Sequence, residues 1–405
     1  MAESQDRALI EKQIQFTNPD YRLYVPKSTE YDNNNVHLYV VEHPQYGGLI
    51  AFWTQSTCEN NGDNHVVMAK SKDGGKNWTE PKFVVGCRNF DKETGKRDEQ
   101  GSWGFPIVSK SGRIYLFYYQ EIMGITDIAL QLTGTFSCMY SDDFGETWSE
   151  KGDIPQRKTP YDFRENIQDN IVFELPLKLP DGTYLAGFTK FASRYIDRSL
   201  RGGVHVFFYH FQNIDDDPEI KDLKIEILPD DTGISVYQPN GRIGKIEEPS
   251  LVMLPDGRIF CSMRTNLGSI FFSTSSDMGK TWTTPRPLTF SDHTFFTHPL
   301  SPCPIYDLKD DRFMQLYHGV CDPERPYYPR NVLRCAIGYF DPESKYQPIR
   351  FDKENDSVFM ELKPDDVILG DDVQLAMYGT MTYMNGKKIL WYPDRKFYLL
   401  GKDIR

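Results

Sequence analysis

No run of about 18 apolar residues occurs anywhere in the 405-residue chain, so no stretch suits a membrane-spanning helix. The charged start, Met1-Ala2-Glu3-Ser4-Gln5-Asp6-Arg7, lacks the apolar core of a signal peptide. Cysteines are few and scattered, at 58, 87, 138, 261, 303, 321 and 335, without metal-ligand spacing. Their odd number leaves at least one outside any intrachain disulfide. The localisation expected from the sequence as it stands is cytoplasmic, or secreted or periplasmic if a signal peptide has been removed. Glycine-rich phosphate loops, CxxC pairs and His-Glu-x-x-His are missing, which removes support for nucleotide, zinc-ribbon and zincin chemistry. Dense Lys/Arg runs are missing too; Gly386-Lys387-Lys388 reads as a solvated turn. With a net charge of −12, nucleic acid and anionic membranes are poor partners. An anionic small substrate stays open, because a local Arg cluster overrides the global field.

Aromatics and turn formers are abundant: 24 Tyr, 26 Phe, 30 Gly and 26 Pro. Aromatics favour strands and Gly/Pro punctuate them, so many short strands are expected. One octapeptide pattern, Ser-x-Asp-x-Gly-x-Thr/Asn-Trp, occurs at Ser71–Trp78, Ser141–Trp148 and Ser275–Trp282. The Asp accepts backbone N–H groups inside a tight turn, the Gly takes positive φ, and the Trp locks the turn onto a neighbouring strand. From Asp73 to Asp143 is 70 residues, and from Asp143 to Asp277 is 134, twice 67. A period near 67 divides the chain about six times, and repeats of this size mean stacked modules. Strand–turn–strand units open near residues 36, 103, 172, 248, 300 and 377, as in Glu248-Pro-Ser-Leu-Val-Met-Leu-Pro-Asp-Gly-Arg-Ile259. The last unit has room for only three strands, so an N-terminal segment, Gln13–Phe16 or Tyr21–Val25, is expected to supply the fourth. The predicted fold is all-β, a six-bladed β-propeller over residues 1–405, closed by strands from both ends. A β-sandwich leaves the period unexplained.

In a propeller the first strand of each blade lines the central channel. Reading its entrance around the ring collects His37, Trp103, Gln168 to Asn170, Glu248, His298 and Tyr378. Such a pocket suits a sugar, with Trp to stack on the ring and polar groups to read hydroxyls. The same residues serve equally to plug the channel of a scaffold or glycan-binding propeller.

The octapeptide is the Asp-box (BNR) pattern, and its recurrence resembles the sialidase-like β-propellers of the neuraminidase superfamily. By that resemblance Glu248 activates the nucleophile and Arg264, at the end of the following strand, binds a substrate carboxylate. Tyr378, opening the last blade, matches the family's nucleophile. Arg330 matches a further carboxylate-binding Arg, with Arg334 second. Arg22, in Tyr-Arg-Leu-Tyr-Val-Pro, stands for the family's Arg of the Phe/Tyr-Arg-Ile-Pro motif. The family's acid Asp follows the second strand of the first blade, where Leu49–Gln55 holds no carboxylate; Glu59, Asp63 and His65 nearby are the catalytic candidates to replace it. A Tyr nucleophile suits an acidic sugar, because a carboxylate would repel the substrate's own, and such sialidases depart from the two-carboxylate scheme. The resemblance implies an exo-glycosidase removing a terminal acidic sugar from an oligosaccharide or glycan, with Trp103, His298 and Gln168 in the binding wall. Alternatives on the same scaffold are a uronate lyase using His65 as base, a rhamnosidase-type hydrolase, and a non-catalytic glycan binder. No cofactor is expected, with a structural or catalytic Ca2+ near Asn60 and Asn64 as the other option. Arg194, Arg198 and Arg201 form a basic loop, either plain surface or a rim for an anionic glycan.

Overall fold

The computed structural model describes residues 2–27, 32–58, 62–91, 93–125, 133–167, 169–193, 195–196, 203–230, 232–362 and 375–405. Glu59, Asn60, Gln168, Arg194, Arg198 and Arg201 lie outside the described residues. Six antiparallel sheets form a six-bladed β-propeller; five have four strands, the third blade has a fifth short strand, Leu177–Lys178, and only the sixth blade departs from sequential order. Their inner strands are Asn34–His43, Gly101–Val108, Asn170–Val172, Ile246–Met253, Ile305–Asp307 and Thr380–Met384. Five of these begin within about three residues of the sequence-expected openings, and the fifth blade starts slightly later.

The sixth blade is completed by Tyr21–Tyr24, which pairs antiparallel with Tyr398–Ile404. Of the two expected closing segments the second is therefore the strand. Gln13 and Ile14 instead end the helix Ala2–Ile14. The Gln13 backbone carbonyl accepts from Arg395 at 2.8 Å, and its side chain accepts from the Tyr398 hydroxyl at 3.1 Å. This strand covers the edge that Tyr398–Ile404 would otherwise leave open.

The apolar interior is split into six clusters; five join two neighbouring blades, and the sixth, around Phe105, Phe117 and Tyr209, reaches from blades two and three to Tyr39 and Tyr378 of blades one and six. Second strands are consequently covered on both faces by adjacent blades: all nine residues of Gly48–Ser56 are buried.

The Asp boxes are staples across these seams. In the third box the Ser275 hydroxyl donates to Asp277 at 2.8 Å, and Asp277 accepts from the Thr281 amide and hydroxyl at 2.8 and 2.6 Å. Trp282 then stacks on Phe208 of the preceding blade at 4.4 Å. Trp148 likewise packs edge-on against Phe52, and Trp78 against Trp391. Gly75 has φ +86°, and a Cβ there would lie 2.3 Å from the Trp391 ring, so Gly is required twice over. The boxes follow third strands, at the end of each blade opposite the inner-strand entrances.

Candidate functional site

Inner strands of blades one, two and four share an irregularity at their entrance. His37, Trp103 and Glu248 sit at φ +52°, +52° and +51°, and the strand register slips at each point. A side-chain-bearing residue in this left-handed region costs on the order of 1–3 kcal/mol, so the surroundings must hold it. They do: the Trp103 and Glu248 amides donate to Thr54 and Thr189 hydroxyls of the preceding blade, each at 2.8 Å. The bulge breaks the in–out alternation of a regular strand. Consecutive residues Glu247 and Glu248 consequently both face the centre, as do Val36 and His37.

These entrances surround a cavity of about 400 Å³, within the usual range of small-molecule sites. The Tyr378 hydroxyl donates to Glu248 Oε1 at 3.2 Å. Glu248 Oε2 is 3.0 Å from Arg264 Nη1. Arg264 Nε donates to Glu247 at 3.1 Å, and its Nη2 reaches the same oxygen. Glu247 and Arg264 are direct cross-strand partners, so the Asp-Gly hairpin returns the guanidinium to the Glu pair. Arg330 reaches the cavity from the loop before the third strand of blade five, fixed by its bonds to the Tyr327 and Leu300 carbonyls at 2.6 and 2.9 Å. Burial foremost, with the Glu247 charge, pushes Glu248 up to about 7 against the pull of Arg264 and Arg330. Burial, and then Lys396, holds His37 well below the ordinary histidine value, so its imidazole is neutral. That ring packs against Tyr378 and Phe173 at 5.0 and 5.1 Å.

Other expected residues fall elsewhere. Arg22 does not line the cavity; on the outermost strand of blade six its side chain is 43% exposed and grips Glu11 bidentately at 2.9 and 2.8 Å. The strand register explains this, since Tyr21 and Leu23 take the inward positions. His298 is fully buried off the cavity wall, bonded to the Ser301 carbonyl and the His318 amide at 2.8 and 3.1 Å. Asp63 and His65 line a separate cavity with Gln55 and Arg88, while Asn64 between them faces the central one. Strand alternation at the start of the third strand of blade one makes that division. Arg334 pairs with Asp356 at 2.7 Å outside the central cavity. Among the described residues, no group of three or more His, Cys, Asp and Glu is placed to hold a metal.

The family model for the BNR repeat-like domain matches residues 47–311. The chain belongs to the BNR repeat-like family. No curated protein matches it in sequence. Among solved structures it is similar to a Dyadobacter fermentans protein of unknown function, at 14% identity and TM-score 0.61, over 95% of this chain and 96% of that one. The intramolecular trans-sialidase of Ruminococcus gnavus, in complex with oseltamivir carboxylate, matches at 13% and 0.62, over 95% and 97%. The NanB sialidase of Streptococcus pneumoniae matches at 12% and 0.60, over 95% and 69%. At these identities the likeness establishes a sialidase-like propeller fold.

In this BNR repeat-like propeller the cavity also holds residues that the sequence did not single out. Glu247 is one, hidden because period-two alternation assigns it to the face opposite Glu248. Lys245 and Lys396 add positive charge to the wall, and Tyr327 and Tyr328 add aromatic surface. Lys396 lies 5.7 Å from the centre of the Tyr378 ring. Its turn, Asp394 to Phe397, carries no repeat signature; only two consecutive basic residues, Arg395 and Lys396, in a late hairpin marked it.

Proposed function

We propose that this chain is a glycoside hydrolase removing a terminal acidic sugar from a glycan, with Tyr378 as nucleophile and Glu248 as its base. The observation that carries the reading is the Tyr378–Glu248 hydrogen bond in a cavity also lined by Arg264 and Arg330. A phenol near pKa ~10 is a poor nucleophile at neutral pH, and a carboxylate held near 7 can accept its proton as the phenolic oxygen bonds the anomeric carbon and the glycosidic C–O bond breaks, the aglycone oxygen taking a proton from water. Arg264 is bracketed by Glu247 and Glu248 and positions the base. Arg330, held at the cavity by its bonds to the Tyr327 and Leu300 carbonyls, together with Lys245 and Lys396, would receive the substrate carboxylate. Trp103 and Phe173 supply apolar walls for the sugar ring.

A second reading, glycan binding without turnover, is favoured by one feature. Among the described residues, the only carboxylates lining the cavity, Glu247 and Glu248, are both engaged by Arg264, so none of these acidic side chains stands ready to protonate a leaving group. The lyase reading loses support, since His65 opens onto a different cavity. Hydrolysis of 3′-sialyllactose, read by release of sialic acid, separates the two readings. Turnover abolished by Tyr378→Phe in a protein of unchanged melting temperature supports the hydrolase; binding with no turnover in the parent supports the binder.

A further inference from the structure

A further cavity, distinct from those of Glu248 and of Asp63, opens beside the central one. It encloses about 370 Å³, and its walls include Ile125, Phe163, Arg164, Asp169, Ser193 and Tyr195. Blade three supplies a wall common to both cavities. Its inner strand and second strand pair in register, Ile171 opposite Thr189 and Asn170 opposite Lys190. Ile171 and Phe191 line the central cavity, whereas Asp169 and Ser193, two residues along the same two chains, line the outer one. The Phe191 amide donates to the Asp169 carbonyl at 2.8 Å, which ties the chains together at the divide. Two residues of extended chain span about 6.6 Å, the reach of one sugar ring.

The outer cavity has the chemistry of a sugar platform. Phe163 and Tyr195 are 50% and 53% exposed, and their ring centroids lie 5.3 Å apart. Half-exposed aromatic pairs offer the C–H face of a pyranose a large apolar surface with little ordering cost. Beneath them Asp169 is buried, and burial foremost pushes it up to about 7, so near neutrality it can donate or accept a hydrogen bond to a hydroxyl. Arg164 sits 6.0 Å from the Phe163 ring centre and supplies further donors. One acid and one base at the wall, with most of the lining uncharged, fit a neutral ring rather than a second acidic one.

We propose that this cavity is an outer subsite taking the neutral pyranose next to the acidic terminal unit held in the central cavity. The proposal rests on the acidic-glycan reading of that cavity. The chain would accordingly discriminate extended glycans from simple glycosides of the same terminal sugar.

Calorimetric titration tests this in a Tyr378→Phe background, where no ligand is consumed. The two probes are 3′-sialyllactose and the methyl α-glycoside of sialic acid, which lacks a second ring. Adding Phe163→Ala with Tyr195→Ala should weaken 3′-sialyllactose binding at least tenfold and leave the methyl glycoside within twofold. Equal weakening of both ligands, or of neither, overturns the subsite. Should neither sialoside bind the parent, the acidic-glycan reading has failed, and lactose decides the subsite alone. Lactose binding lost with the aromatic pair supports it; lactose binding that is absent or insensitive to the pair overturns it.

Discussion

At the scale of single residues, the burial of Glu248 set against two guanidinium groups decides whether that carboxylate can act as a base. Glu248 is buried, and burial raises its pKa; Arg264 and Arg330 lower it, and the neighbouring Glu247 raises it again. The balance leaves a group that ionises near the operating pH of a general base. A base must be deprotonated, so kcat/KM on a sialoside should fall as pH drops below about 7. Glu247→Gln removes one raising influence and frees Arg264 to act on Glu248 alone. Both changes lower the pKa, so the acid limb should move to lower pH. A limb that stays in place, or moves upward, contradicts this view of the pair. Glu248 and Tyr378 were legible in the sequence because each opens a recognisable strand–turn–strand unit. Glu247 was not, because only the bulge turns two consecutive side chains toward the same cavity.

At the scale of the strand, the left-handed entrances are a device for presenting side chains. Each places a large residue, His37, Trp103 or Glu248, at the rim of the inner strand, and a hydroxyl from the preceding blade fixes two of them. Thr189 is buried, and Thr189→Val keeps its shape while leaving the Glu248 amide without an acceptor. An unpaired buried N–H costs about 1–3 kcal/mol. The urea midpoint should fall accordingly, and kcat should drop more than KM rises, because the base is displaced rather than the binding wall. Thr189→Ser retains the hydroxyl and should restore most of both; a Ser variant no better than Val would refute the role given to this bond. Strand entrances misled the sequence reading where local geometry differs. His298 stands at a comparable chain position, yet it is locked to Ser301 and His318 away from the cavity. Asp63 and His65 failed for another reason, since alternation along their strand sends Asn64 inward instead.

At the scale of the whole molecule, the ring converts a metrical signal into a site. Steps of 70 and 134 between Asp boxes gave the blade count, and the boxes pin seams on the face away from the cavity. Fold was legible because a repeat imposes the same turn chemistry several times, so isolated departures do not hide it. The site was legible only in part, because its residues meet across blades that are distant in sequence: Glu248 and Tyr378 are separated by 130 positions. Arg22 shows the limit, since a motif resemblance placed it with the other Arg residues while strand pairing turned it outward to Glu11. What the ring does assemble is a phenol hydrogen-bonded to a carboxylate, beside a cationic wall. The direct test is to trap the covalent intermediate with a 3-fluoro-sialyl fluoride and map the adduct by peptide mass spectrometry. The account predicts a single sugar adduct on Tyr378, lost in Tyr378→Phe; no adduct, or an adduct on another residue, would contradict it.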